Sequence, residues 1–132
     1  MIEMNLNYFI IAGEASGDMH GGHLMGEMKR LNPNIAFSGI GGNIMEREGL
    51  DSLVHIDKMA IMGFWEVLKN FRFLKSVEKK VLVAIKNRDI NAVILVDYPG
   101  FNLRIAKKIK QIKPSIRIFY YISPQIWAWK EN

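Results

Sequence analysis

Asp97 follows the apolar run Ala92-Val-Ile-Leu-Val96 and opens the stretch Asp97-Tyr-Pro-Gly-Phe-Asn102. A carboxylate at the end of a buried strand can take a proton from a bound hydroxyl if a partly apolar surround tunes its pKa toward the working pH. The same position suits a cap or turn former for the next helix, and the residues alone leave both open. A second stretch, Gly13-Glu-Ala-Ser-Gly-Asp18, follows the apolar run 8–12. Here Ser16 is placed to cap a helix and Gly17 lets a ligand approach the backbone, while the helix amino terminus offers free N–H groups and a partial positive charge. The loop is neither GxGxxG nor a P-loop, and Glu14 and Asp18 repel a bare phosphate. Its carboxylates suit sugar hydroxyls better, and helix capping is the plainer alternative. A third stretch, from Ser123 onward, carries Gln125, Trp127 and Trp129; such tryptophans can line a pocket, stack on a sugar face or cover the core.

Metal chemistry finds little support. His20 and His23 stand three apart on one expected helix, but His55 is remote and no HExxH pattern occurs. The absence of cysteine removes thiolate ligands, disulfides and a thiol nucleophile, and fits a reducing compartment. No metal and no cofactor is assigned. Gly21, Gly22 and Gly26 weaken the helix they share, which leaves two explanations: close packing of helix on sheet, or space for a ligand at the helix start.

The elements that must position these loops alternate. Runs 8–12, 35–40, 50–56, 92–96 and 116–122 read as strands. Helical patterns cover 18–31, 43–48, about 63 to 88, and the stretch from Pro99 to the stop at Pro114. Strands alternating with helices predict an α/β fold with a mainly parallel, doubly wound, Rossmann-like sheet. In such sheets ligands bind beyond the carboxyl ends of the strands, where all three stretches fall.

On the long helix, Phe64, Val67, Leu68, Phe71, Leu74, Leu82 and Ile85 form one apolar face, expected to pack on the sheet. Trp65, Lys69 and Phe73 make a separate stripe, with Ile61 and Met62 just before it. Aromatics interleaved with cations suit a membrane surface; a larger core or a partner contact is the alternative.

The 132 residues fit one domain. The charge of +5 and pI of about 9.5 are spread along the chain, which suits anionic lipid, sugar phosphates or nucleic acid alike. No basic helix or aromatic-basic sheet motif speaks for nucleic acid. The apolar run 8–12 is far too short to span a bilayer, so neither a signal peptide nor a transmembrane helix is expected.

Taken together, Ala12-Gly-Glu-Ala-Ser-Gly-Asp18 with Gly21, Gly39-Ile-Gly-Gly42 with Met45 and Gly49, Met59-Ala-Ile-Met-Gly-Phe-Trp-Glu-Val-Leu68, Val96-Asp-Tyr-Pro-Gly-Phe-Asn102 and Ser123-Pro-Gln-Ile-Trp-Ala-Trp129 resemble the lipid A disaccharide synthase family. These are glycosyltransferases of family 19 with the two-domain GT-B fold. The resemblance covers the chain in order. It implies inverting transfer of 2,3-diacylglucosamine from its UDP derivative to 2,3-diacylglucosamine 1-phosphate, with release of UDP and formation of a β-1,6 disaccharide. It also implies Asp97 as general base for the acceptor 6-hydroxyl, and Glu14, Ser16, Gly17, Asp18, Asn102, Ser123 and Gln125 as substrate-side positions. Neither metal nor cofactor is implied. The expected setting is cytoplasmic, at the inner-membrane surface of a Gram-negative-type bacterium, with Ile61, Met62, Trp65, Lys69 and Phe73 touching lipid. Family members are far longer, so residues 1–132 are expected to be the acceptor-side Rossmann-like domain, truncated, lacking the carboxyl-terminal UDP-binding domain and inactive alone. Alternatives are another GT-B enzyme using UDP-N-acetylglucosamine and a stand-alone flavodoxin-like nucleotide-binding or regulatory module.

Overall fold

Five apolar runs form one parallel sheet, and their order in it decides where the loops meet. In a computed structural model, which describes residues 5–59 and 67–121 with the side chains of 67–70 left out, the elements run β1 (Leu6–Ala12), α1 (Ala15–Leu31), β2 (Ile35–Gly41), α2 (Asn43–Arg47), β3 (Leu50–His55), α3 (Val67–Asn87), β4 (Ala92–Val96), α4 (Pro99–Ile112) and β5 (Arg117–Tyr121). The strand order is β3-β2-β1-β4-β5, and every neighbouring pair is parallel. The expected α/β Rossmann-like fold is the one observed.

The chain builds from β1 outward to β3, then returns to lay β4 along the other side of β1. Right-handed crossovers running in opposite directions place their helices on opposite faces of the sheet. β1 shows this in its own alternation: Phe9 and Ile11 join the core beneath α3 and α4, while Ile10 and Ala12 join the core beneath α1 and α2. All four are fully buried. Burial of each large side chain contributes about 1.5–3 kcal/mol.

Three features depart from the expected pattern. First, α1 starts at Ala15 and not at Asp18, with Glu14 as its N-cap and no side-chain cap bond, so Ser16 lies in the first turn and does not cap it. Second, Gly21 and Gly22 make room for α2, where added Cβ atoms would come within 2.8 Å of Met45 and 2.5 Å of Ile44. The close packing is helix on helix; only Gly17 abuts the sheet, 3.1 Å from Ala12 Cβ by the same construction.

Third, α3 is rotated from the expected face. Val77, Val81, Ala84 and Ile85 are buried, and Phe73, Leu74 and Leu82 pack against that core. Phe71, expected inside, is 51% exposed and lies beneath the cations of Lys75 (5.1 Å) and Arg104 (5.8 Å). Phe73, expected at a lipid surface, faces inward. The periodicity marks a broad apolar arc holding both rings, and packing decides which edge meets the sheet. Part of that choice is Glu78, only 5% exposed, whose carboxylate pairs with Arg104 Nε at 3.0 Å and with Lys108 Nζ. These pairs tie α3 to α4.

The rotation yields an opposite ranking of two phenylalanines. Phe73→Ala is expected to lower unfolding free energy by about 2 kcal/mol, because it opens space beside the core. Phe71→Ala is expected to cost under about 0.5 kcal/mol at its exposed site. Urea unfolding of both variants checks this, and equal losses would count against the observed rotation.

Candidate active site at the reversal of strand order

β1 and β4 are adjacent in the sheet, with Ala12 paired to Val96, although their outgoing chains turn to opposite faces. Between them lies the crevice in which doubly wound sheets bind ligands. The two loops singled out from sequence, at Gly13 and at Asp97, leave from this pair. The stretch from Ser123 lies outside the described residues, and with it Gln125, Trp127 and Trp129.

The turn after β4 is strained. Asp97 has φ +47° and Tyr98 φ +53°, both left-handed and neither a glycine. Such conformations cost about 1–3 kcal/mol each and persist only where surroundings enforce them. Here the Asp97 N–H donates to the Tyr121 carbonyl at 3.1 Å, and the Asn102 N–H donates to the Tyr98 carbonyl at 3.0 Å. Pro99 then starts α4 with its φ already helical. The Tyr98 ring packs near Phe101, with centroids 6.2 Å apart, and lies directly on Gly13. A Cβ at Gly13 would fall 2.2 Å from that ring, so only glycine lets the two loops close on each other.

Asp97 is half-buried at this junction, and Glu14 is exposed. Their charges are felt by two tyrosines. Burial raises the Tyr98 hydroxyl pKa above its usual 10.0, and the Glu14 carboxylate raises it further. Burial likewise raises Tyr120, with Asp97 adding to it. Neither tyrosine stood out in the sequence; for Tyr98, an aromatic residue in left-handed geometry contradicts local propensity and only the fold enforces it.

Two expected substrate positions turn out to be built into the scaffold. Asp18 is 5% exposed, and its Oδ1 accepts from the N–H groups of Gly42 (2.8 Å) and Met45 (3.0 Å) while Oδ2 accepts from Ile44 (3.1 Å). It supplies from a distance the cap that Gly42, without a side chain, cannot give α2. Asn102 is fully buried, and its Nδ2 donates to the Asp97 carbonyl at 2.7 Å. These bonds give both residues a supporting place in the scaffold, Asp18 through both carboxylate oxygens and Asn102 through Nδ2. Ser16, half-buried, and Gly17, buried, remain on the first turn of α1, beside the crevice.

The other candidates disperse. His20 meets the Tyr121 ring edge-on at 6.5 Å, and His23 is exposed. His55, at the end of β3, accepts the Asp57 N–H at Nδ1 (3.0 Å) and bonds Asn43 Oδ1 through Nε2 (2.8 Å). Those bonds place the ring proton on Nε2 in the neutral form. Ile61, Met62 and Trp65 lie outside the described residues, and of Lys69 only the helical backbone is described. Among the described residues, no helix is long and apolar enough to cross a membrane.

Comparison with known proteins adds chemistry to this geometry. A family model described as lipid-A-disaccharide synthetase matches residues 8–132. The lipid-A-disaccharide synthase of Coxiella burnetii (strain Dugway 5J108-111) is 40% identical over 126 residues, covering 96% of this chain and 33% of that protein. That of Nitrosococcus oceani is 41% identical over 122 residues, covering 92% and 31%. That of Trichlorobacter lovleyi is 43% identical over 123 residues, covering 93% and 32%. The chain thus spans about a third of the length of the curated relatives it matches.

Two measurements test the site's construction. Asp18→Ala is expected to cost about 2–4 kcal/mol of stability by leaving three N–H groups without their acceptor, and Asp18→Asn distinctly less because one oxygen remains; denaturant midpoints read both. In a spectrophotometric titration, Tyr98 and Tyr120 should ionise above pH 10.0, each assigned by its phenylalanine variant. Because folding raises these pKa values, the stability they carry is complete below the unfolded value and falls as pH rises through the folded one. Asp97→Asn should lower the Tyr120 midpoint only in part, since burial is the larger cause.

Proposed function

Since the chain belongs to the lipid-A-disaccharide synthetase family, we propose that it forms the acceptor-side half of the cleft of an inverting glycosyltransferase of lipid A biosynthesis. The observation that carries this reading is Asp97 at the reversal of strand order, half-buried on a strained turn facing the loop after β1. Strain concentrated at one carboxylate in a crevice is what a prepositioned reactive group requires.

In the proposed reaction, Asp97 removes the proton from the 6-hydroxyl of 2,3-diacylglucosamine 1-phosphate. The freed oxygen attacks the anomeric carbon of UDP-2,3-diacylglucosamine from the face opposite UDP. One C–O bond forms, the bond to UDP breaks, and the configuration inverts. Asp97 serves as this base through its place, half-buried on the turn after β4 and beside the loop after β1. Glu14 and the first turn of α1, with Ser16 and Gly17, are proposed to orient sugar hydroxyls. Ser123 and Gln125 are proposed to complete this side. Contacts to UDP are assigned to a carboxyl-terminal domain in the remaining length that the relatives possess, so the 132-residue chain alone is expected not to turn over.

The diacylated substrates belong to a bilayer, and peripheral attachment to the cytoplasmic side of the inner membrane is part of this proposal. Charge supports it: Glu78 is the sole carboxylate in the sequences of α3 and α4, among many lysines and arginines. Cations on an exposed face attract anionic lipid. Ile61, Met62, Trp65 and Lys69 are the proposed lipid contacts, while Phe73, partly buried, packs against the core.

The test uses the complete reading frame that encodes this segment, with and without Asp97→Asn, and follows UDP release from the two diacylated glucosamine substrates in mixed micelles. Turnover in the wild type that falls by about a thousandfold or more in the variant is expected for loss of a general base. A well-folded wild type without turnover would overturn the synthase reading, and nucleotide binding by the 132-residue chain alone would then favour a binding module.

A further inference from the structure

The direction of the Asp97 carboxylate is set by two consecutive left-handed residues, and neither would keep that geometry unaided. Much of what surrounds the turn is supplied by one residue. Asn102 lies one helical turn into α4 and is 0% exposed. Its Nδ2 donates to the Asp97 carbonyl at 2.7 Å and reaches the Ile11 carbonyl of β1 at 3.5 Å, 91 residues away in sequence. Its backbone N–H donates to the Tyr98 carbonyl at 3.0 Å. One side chain therefore spans the crevice from beneath, joining β1 to the turn after β4.

The amide's orientation follows from the same contacts. A flip would bring Oδ1 within 2.7 Å of the Asp97 carbonyl oxygen, acceptor against acceptor, so Nδ2 must point there. As a result Oδ1 is buried with no hydrogen-bond partner among the described residues. An orphaned buried acceptor is destabilising, and a residue chosen only for stability would be apolar here. What the asparagine contributes in return is the conformation of Asp97 and Tyr98.

We propose that Asn102 is the positioning residue of the general base: its buried amide holds the left-handed Asp97–Tyr98 turn against β1 and so fixes the carboxylate in the crevice. This rests on the reading of Asp97 given above. Asn102 acts through Asp97 and touches no substrate. Its removal therefore lowers the rate of the proton-transfer step without weakening ground-state binding, and has little left to remove once Asp97 cannot accept a proton.

A double-mutant cycle in the full-length protein tests this, with Asp97→Asn, Asn102→Ala and the pair assayed for kcat and KM in mixed micelles, and thermal unfolding recorded for each. The expected result is a fall in kcat of about 10- to 100-fold for Asn102→Ala, with KM within about threefold. In the Asp97→Asn background the same substitution should cost less than about threefold. An equal factor in both backgrounds, or a loss confined to KM, would overturn the proposal and make Asn102 an independent substrate contact. Near-normal turnover by Asp97→Asn would instead sink the general-base reading itself. If Asn102→Ala does not fold, Asn102→Leu provides the second variant, since it fills the same cavity without a donor. A kcat well below wild type at unchanged KM, with the loss vanishing in the Asp97→Asn background, supports positioning; a folded leucine variant with wild-type kcat overturns it.

Discussion

The pairing of β1 with β4 is the constraint on which the rest of this molecule depends. It joins residues some eighty positions apart in sequence, Ala12 beside Val96, and it does so after the chain has already built outward through β2 and β3. Because the crossovers on either side run in opposite directions, the helices leaving β1 and β4 turn to opposite faces, and a gap opens between their first turns. Gly13, Glu14, Asp97 and Tyr98 are arranged at the rim of that gap. Gly13 lies under the Tyr98 ring, and the Glu14 carboxylate acts on Tyr98 across it, while Asp97 acts on Tyr120 of the neighbouring strand β5.

Holding the rim requires buried polar groups, and the fold uses them on backbone. Asp18 spends its carboxylate on three N–H groups at the start of α2, and Asn102 spends its amide on the carbonyls of Asp97 and Ile11. Both are nearly or wholly buried. In a low-dielectric setting such bonds are strong when made and costly when left open, so each residue defines one local geometry with little freedom around it. The two residues act at different distances from the chemistry. Asp18 fixes α2 against α1, which the glycines at 21 and 22 allow to approach closely. Asn102 fixes the turn that carries the proposed base.

On the face that carries α3 and α4, Glu78 plays a comparable part between helices. Its buried carboxylate takes Arg104 and Lys108 from α4, while those cations keep contact with solvent at 47% and 34% exposure. The desolvation cost falls chiefly on one partner, and two cations offset it. The pairing draws the Glu78 side of α3 toward α4, leaves Phe71 at the rim under Lys75 and Arg104, and lets Phe73 reach the core.

Much of the architecture is legible in the sequence because it follows from local rules. Continuous apolar runs ending in Gly13 or Asp97, helical stops at Pro33 and Pro114, and the alternation of the two element types determine a parallel α/β sheet and the loops at its carboxyl edge. Asp97 is singled out that way as a candidate, since a lone carboxylate closing an apolar strand stands out without any knowledge of its neighbours. The rest had to wait for tertiary structure, for a physical reason. Asp18 meets Gly42 across 24 residues and Asn102 meets Ile11 across 91, and a hydrogen bond closed over such distances leaves no periodicity behind. Both residues carry polar groups equally suited to ligand or to backbone, so composition cannot tell the two uses apart. The same limit applies to α3, whose apolar arc contains Phe71 and Phe73 alike. Only the strand order and the packing of α4, both settled by long-range contacts, decided which ring faces the core and where the crevice opens.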